Sequence, residues 1–181
     1  MVNAKILVVG CGSIGRRHIN NLKSLGITRF VLCDPDTETL RKASAGIEGA
    51  ALVTDLKDAL SERPDAAIIC TPSSMHLEMA RELVSRGVHC LIEKPVSHTI
   101  EGCEELERIV EENGVVAMIA MCYRFHPALQ HIKRLLDADA IGRVYHANYY
   151  GGHYLPDWHP LPDYRKEYAA KKSLGGGVVL T

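Results

Sequence analysis

Residues 5–18 read KILVVGCGSIGRRH. Ile6 to Val9 are apolar without alternation, the pattern of a strand covered on both faces, as in the middle of a parallel sheet. The run ends in Gly10-x-Gly12-x-x-Gly15, and residues 14–26 continue with helical period. In that frame Gly10 permits the tight turn off the strand, Gly12 lets backbone approach a pyrophosphate, and Gly15 lets the helix pack closely on the sheet. The amides of Ser13, Ile14 and Gly15, with the positive end of the helix dipole, are donors for phosphate oxygens. Asp34 ends the next strand nineteen residues beyond Gly15, where a carboxylate accepts from the ribose hydroxyls of an adenosine. The competing reading makes the glycines a mere tight turn and Asp34 the cap of a bend at Pro35. Strand before, helix after and acid at the right spacing favour a dinucleotide site.

Short apolar runs alternate with helical segments as far as residue 121, the pattern of an α/β fold with a Rossmann-type, doubly wound parallel sheet. Strands are expected at 5–10, 29–34, 51–53, 65–71, 88–93 and 115–121, and helices at 14–26, 36–47, 74–86 and 99–114. Ile14, His18, Leu22 and Leu25 share one side of the first helix, Gly26 stops it in the left-handed conformation, and Asp36 caps the second. Beyond Met121 a helix is expected over 126–142 and a long strand with alternating faces over 143–155. A loop rich in Pro, aromatics and charge then runs to Lys172. This divides the chain into a dinucleotide-binding domain, 1–121, and the start of a second domain, 122–181.

The 181 residues are 46% hydrophobic and 24% charged, with a formal net charge of -1 and no long run of either sign. That leaves no electrostatic footprint for nucleic acid or an anionic membrane. The N-terminal apolar run is too short to span a bilayer and lacks the layout of a signal peptide, so a cytoplasmic protein is expected. Six cysteines without a C-x-x-C pair read as reduced, buried thiols, and nine histidines without H-E-x-x-H spacing give no expectation of a metal.

In an open parallel sheet, ligands bind beyond the carboxyl ends of the strands. Two further loops fall there, CTPSSMHLEMA (70–80) and IEKPVS (92–97). Thr71 and Pro72 are expected on the nicotinamide side. Pro95 fixes the turn that aims Lys94 into the crevice, and Glu93 joins the cofactor-facing set. His76, on the first turn of a helix, either touches cofactor or packs.

The ordered set GCGSIGRRH, CTPSSMHLEMA, EKPVS, YRFHP and GGGVVLT resembles the Gfo/Idh/MocA oxidoreductases. The resemblance implies an NAD(P)-dependent enzyme acting on sugars, sugar nucleotides or cyclitols, with a second α/β domain on an open, mostly antiparallel sheet. It implies that Lys94 contacts the nicotinamide ribose and the substrate hydroxyl, that Pro95 follows a cis bond, and that the full-length enzyme is a homo-oligomer. Tyr123, Arg124 and His126 match a motif near the substrate mouth. Trp158, Tyr164 and Arg165 are candidate contacts from the late loop, since aromatic faces stack on sugar rings and arginine forks to carboxylate or phosphate. A loop packed on its own aromatics is the other reading of those three.

The family pattern places an acid after the triple glycine and a proton-transferring histidine four residues later. Thr181 stands at the acid's place and no histidine follows, so this reading makes the chain the N-terminal part of a longer enzyme. NAD is expected over NADP, because Asp34 and Asp36 oppose a 2′-phosphate. The rival is a non-catalytic dinucleotide-binding module.

Overall fold

The strands are β1 (Lys5–Val9), β2 (Arg29–Cys33), β3 (Ala51–Val53), β4 (Ala66–Ile69), β5 (His89–Ile92) and β6 (Ala117–Ile119). The computed structural model describes residues 3–152, 154 and 163–177. All strands pair in parallel, in the order β3-β2-β1-β4-β5-β6. This is the Rossmann order, whose winding reverses between β1 and β4. Parallel neighbours need crossovers, supplied by α1 (Ser13–Ser24), α2 (Thr37–Ala43), α3 (Leu56–Ser61), α4 (His76–Val84) and α5 (Cys103–Asn113). Val9 pairs with Cys33 and Ile69, Cys33 with Val53, Ile69 with Ile92, and Ile92 with Ile119. The carboxyl ends of the strands therefore come level along one edge.

Successive side chains of a strand point to opposite faces. Leu7 and Val9 enter one core with Val31, Ile69, Leu83, Val84, Ile92 and Leu106, while Val8 enters the other with Ile19, Phe30, Leu32 and Leu40. Both faces are covered, as the unalternating run requires. Each such side chain contributes about 1.5–3 kcal/mol, so the strand ends rest on a rigid base.

Three expectations are corrected. On α1 the buried side is Gly15 and Ile19 with Leu22 half-buried, whereas Ile14 is 38% and Leu25 74% exposed. The close seat of Gly15 on the sheet fixes the helix rotation, and the neighbours at i+4 and i+7 then turn inward. Leu56–Ser61, assigned to no element from sequence, is helical, with the Asp55 side chain accepting from Lys57 N at 2.7 Å. Residues 143–152 form no strand and are exposed. A strand needs a ladder partner, and neither edge of the sheet, β3 or β6, pairs with this segment. The expected helix of 126–142 is α6 (Pro127–Asp137), also exposed throughout.

Short 3-10 turns at 164–166, 168–170 and 172–174 bring the late segment back to the sheet domain. Among the described residues, no helix is long and apolar enough to cross a membrane.

Candidate functional site

The three loop glycines are required for different reasons. Gly10 has φ +84°, and a Cβ there would lie 2.8 Å from the Cys70 carbonyl. A Cβ at Gly15 would lie 2.1 Å from the carbonyl oxygen of Gly10. Both are demanded by packing alone. At Gly12 a Cβ would meet nothing within 4 Å, so the protein itself has no need of a glycine there. The space stays open at the start of α1, and no side chain caps that helix. Uncapped N–H groups, a positive dipole end and an unfilled approach are what a pyrophosphate needs, and the site fits one.

Asp34 flanks this opening. Its Oδ2 accepts from Cys11 N at 2.8 Å and its Oδ1 from Asp36 N at 2.9 Å, which holds the carboxylate beside the glycine loop with lone pairs left to accept from hydroxyls. The Cys11 thiol is pushed up to about 12 by burial, with the Asp34 and Cys33 charges adding to it, and Cys33 to about 11, again chiefly by burial. These thiols are packing groups, not nucleophiles.

The loops after β4 and β5 are clamped together by His76. Its ring is buried, with Nδ1 2.8 Å from Pro95 O and Nε2 2.8 Å from Thr71 O. A neutral imidazole donates to one of these carbonyls; only the doubly protonated ring donates to both. His76 thus lies between the two loops with each ring nitrogen against a backbone carbonyl. The Thr71 hydroxyl donates to Met79 Sδ at 3.6 Å, and half-buried Pro72 precedes the 3-10 turn Ser73–Met75. The Lys94–Pro95 bond is cis and Lys94 is exposed.

Glu93 meets His18 Nε2 at 2.7 Å through Oε1 and accepts from Lys94 N at 3.3 Å through Oε2. Burial works to raise its carboxyl, but the His18 hydrogen bond and charge, with those of Lys94, outweigh it and hold the group below the ordinary glutamate value.

A third clamp was not legible in sequence. The buried Ser73 hydroxyl donates to Leu174 O and Gly175 O, each at 3.3 Å. Gly175 has φ +79°, and a Cβ there would fall 2.1 Å from Ser73 Oγ and 2.8 Å from His98 Cβ. Gly175, the first of the triple glycine, thus seats on the loops after β4 and β5. Sequence reasoning also missed His18 as the partner of Glu93, although it lies inside the quoted glycine motif.

The substrate candidates divide. Tyr123, Arg124 and His126 leave the end of β6 on the turn Cys122–Phe125 and the start of α6, all exposed, with the Tyr123 and His126 ring centroids 6.4 Å apart. A groove there is lined by Tyr123, Arg124, Leu129, Gln130, Lys133 and Arg134. Arg165 is exposed and pairs locally with Asp163, Nε to Oδ1 at 2.9 Å. Tyr164 opens the turn 164–166, and Trp158 lies outside the described residues. Among the described residues, no group of three His, Cys, Asp or Glu is placed to hold a metal ion.

The chain is similar to proteins of known activity. UDP-N-acetylglucosamine 3-dehydrogenase of Acidithiobacillus ferrooxidans is 31% identical over 74% of this chain and 42% of its own length. Levoglucosan dehydrogenase of Pseudarthrobacter phenanthrenivorans is 26% identical over 99% of this chain and 48% of its own. The chain therefore spans less than half the length of these curated relatives. The crystal structure of the WlbA dehydrogenase from Bordetella pertussis, in complex with NADH and UDP-GlcNAcA, superposes with a TM-score of 0.74 at 29% identity, covering 79% of this chain and 44% of that one. The profile of the Gfo/Idh/MocA oxidoreductase family, NAD-binding Rossmann fold, matches residues 4–121, and the chain belongs to that family.

Proposed function

We propose that the chain binds NAD across the glycine loop and the loops after β4 and β5, and serves an enzyme moving a hydride between nicotinamide and a secondary alcohol of a sugar, sugar nucleotide or cyclitol. The observation that carries this reading is the uncapped start of α1, open at Gly12 and flanked by the fixed Asp34 carboxylate, on the same sheet edge as Lys94. The relatives named above, dehydrogenases of a sugar nucleotide and an anhydrosugar and a complex with NADH, support it.

Bound NAD would supply the hydride acceptor. The chain supplies placement and charge. The start of α1 holds the pyrophosphate, Asp34 the adenosine ribose, and Thr71 and Pro72 the nicotinamide side. Lys94 orients the reacting oxygen and stabilises the negative charge that grows on it as its proton leaves. Tyr123, Arg124 and His126 follow the last strand onto the same edge and form the substrate side. Residues 1–121 are the cofactor domain and 122–181 open the next one. Six unpaired cysteines support a reducing, cytoplasmic setting.

Calorimetric titration with NAD is the first test, and formation of reduced nicotinamide with a panel of sugars, sugar nucleotides and cyclitols the second. Lys94→Ala is expected to lower turnover by roughly 100-fold while adenosine-side binding persists. A chain that binds no dinucleotide overturns the proposal. Binding without turnover on any of the panel points to a cofactor-binding module instead.

A further inference from the structure

One hydrogen bond joins the phosphate end of the crevice to the lysine end. His18 sits about one turn beyond Gly15 on α1, and its ring reaches past β4 to Glu93 at the end of β5, Nε2 to Oε1 2.7 Å. The side chains are 20% and 19% exposed, so the pair is shielded but not sealed. Glu93 is held from three directions. Its N–H donates to Ile69 O at 3.0 Å, Oε1 is taken by His18, and Oε2 accepts from the Lys94 N–H at 3.3 Å. A carboxylate fixed between His18 and the Lys94 N–H is well placed to hold the peptide that carries Lys94.

We propose that Glu93 is a positioning residue, not a cofactor contact: the His18–Glu93 bridge ties the Lys94 turn to the helix that seats the pyrophosphate, and thereby sets Lys94 against the nicotinamide half of the dinucleotide. This rests on the dinucleotide reading above. Gly15 and His18 lie on one continuous helix, so whatever seats its first turn also places His18. Without the bridge, the turn keeps the His76 contact to Pro95 O on its far side and loses the His18 tie to α1.

The test compares NADH with ADP-ribose, which lacks the nicotinamide, as calorimetric probes of wild type, His18→Ala, Glu93→Ala, Glu93→Gln, Lys94→Ala and the pairwise doubles. Expected are losses of about tenfold in NADH affinity for His18→Ala and for Glu93→Ala, with ADP-ribose changed less than about twofold. The double variant should be no worse than either single. Glu93→Gln still accepts from the imidazole and should recover most of the loss. In a Lys94→Ala background, removing Glu93 should cost nothing further. If Glu93→Ala does not fold, as judged by circular dichroism, Glu93→Gln against His18→Ala carries the comparison. A Glu93 effect that survives in the Lys94→Ala background, or a silent His18→Ala, overturns the inference and makes Glu93 a direct ligand. A wild type binding neither probe overturns the dinucleotide reading, and this inference with it.

Discussion

Helices α1 and α2 both start at the carboxyl edge of the sheet, after β1 and β2, but their first turns are completed in opposite ways. At α2 the Asp36 side chain accepts from Glu38 N, Thr39 N and the Thr39 hydroxyl. That hydroxyl first, and the Glu38 N–H next, hold its carboxyl below the usual aspartate value. At α1 the cap residue is Gly12, no side chain answers the free N–H groups, and no acid stands in the first turn. With glycine at the cap, the missing side-chain bond costs the helix only about a few tenths of a kcal/mol. The starts of α4, α5 and α6 also lack a side-chain cap; what sets α1 apart is the open approach at Gly12 beside the fixed Asp34 carboxylate, which leaves room for an anion from outside.

The comparison is broken most severely by giving α1 an acid of its own. Gly12→Glu has room for its Cβ and should fold normally, with its carboxylate placed at the phosphate approach. NADH affinity should fall by roughly 100-fold or more in calorimetry, with the melting curve unmoved. Gly15→Ala does the reverse. Its methyl would drive into the Gly10 carbonyl, so chemical denaturation should show a loss of about 2–3 kcal/mol or an unfolded chain.

A sharper contrast comes from the neighbouring charges. Arg41, the cation nearest in sequence on α2, is forked onto Glu38 through Nε and Nη2, both at 2.8 Å, an exposed surface pair of little strength. NADP should bind about tenfold more weakly than NAD, and equal binding would contradict the role given to Asp34. The smallest effect belongs to a capped helix: Asp55→Ala should lower stability by about 1 kcal/mol in denaturant titration and leave dinucleotide affinity unchanged.

What sequence revealed here was whatever has a local cause. The inner strands β1, β2, β4 and β5, covered on both faces, must be apolar, and all six strands fall within the ranges expected from sequence; the need for glycine at Gly15 comes from Gly10 in the same loop. Helix α3 escaped because six residues give too little periodicity beyond the Asp55 cap. Residues 143–155 carry a convincing strand pattern, but pattern supplies no partner, and the described part stands unpaired. The clamps are of another kind. His18 and Glu93 are 75 residues apart, Ser73 and Gly175 102, and no repeat or spacing encodes a bond that only the sheet order brings together. His76 could be placed on a helix from sequence, yet its two carbonyl partners belong to turns whose shapes were not foreseeable.

The distribution of sulfur makes the molecule convenient to tag. Burial raises the thiols of Cys11, Cys33, Cys70 and Cys90, so little thiolate forms at neutral pH, and Cys103 is half-covered. Cys122 alone is exposed, just past the end of β6 on the edge where the loops gather. A maleimide dye should therefore enter with a stoichiometry near one, at a place where its emission can follow the arrival of a dinucleotide without an introduced cysteine.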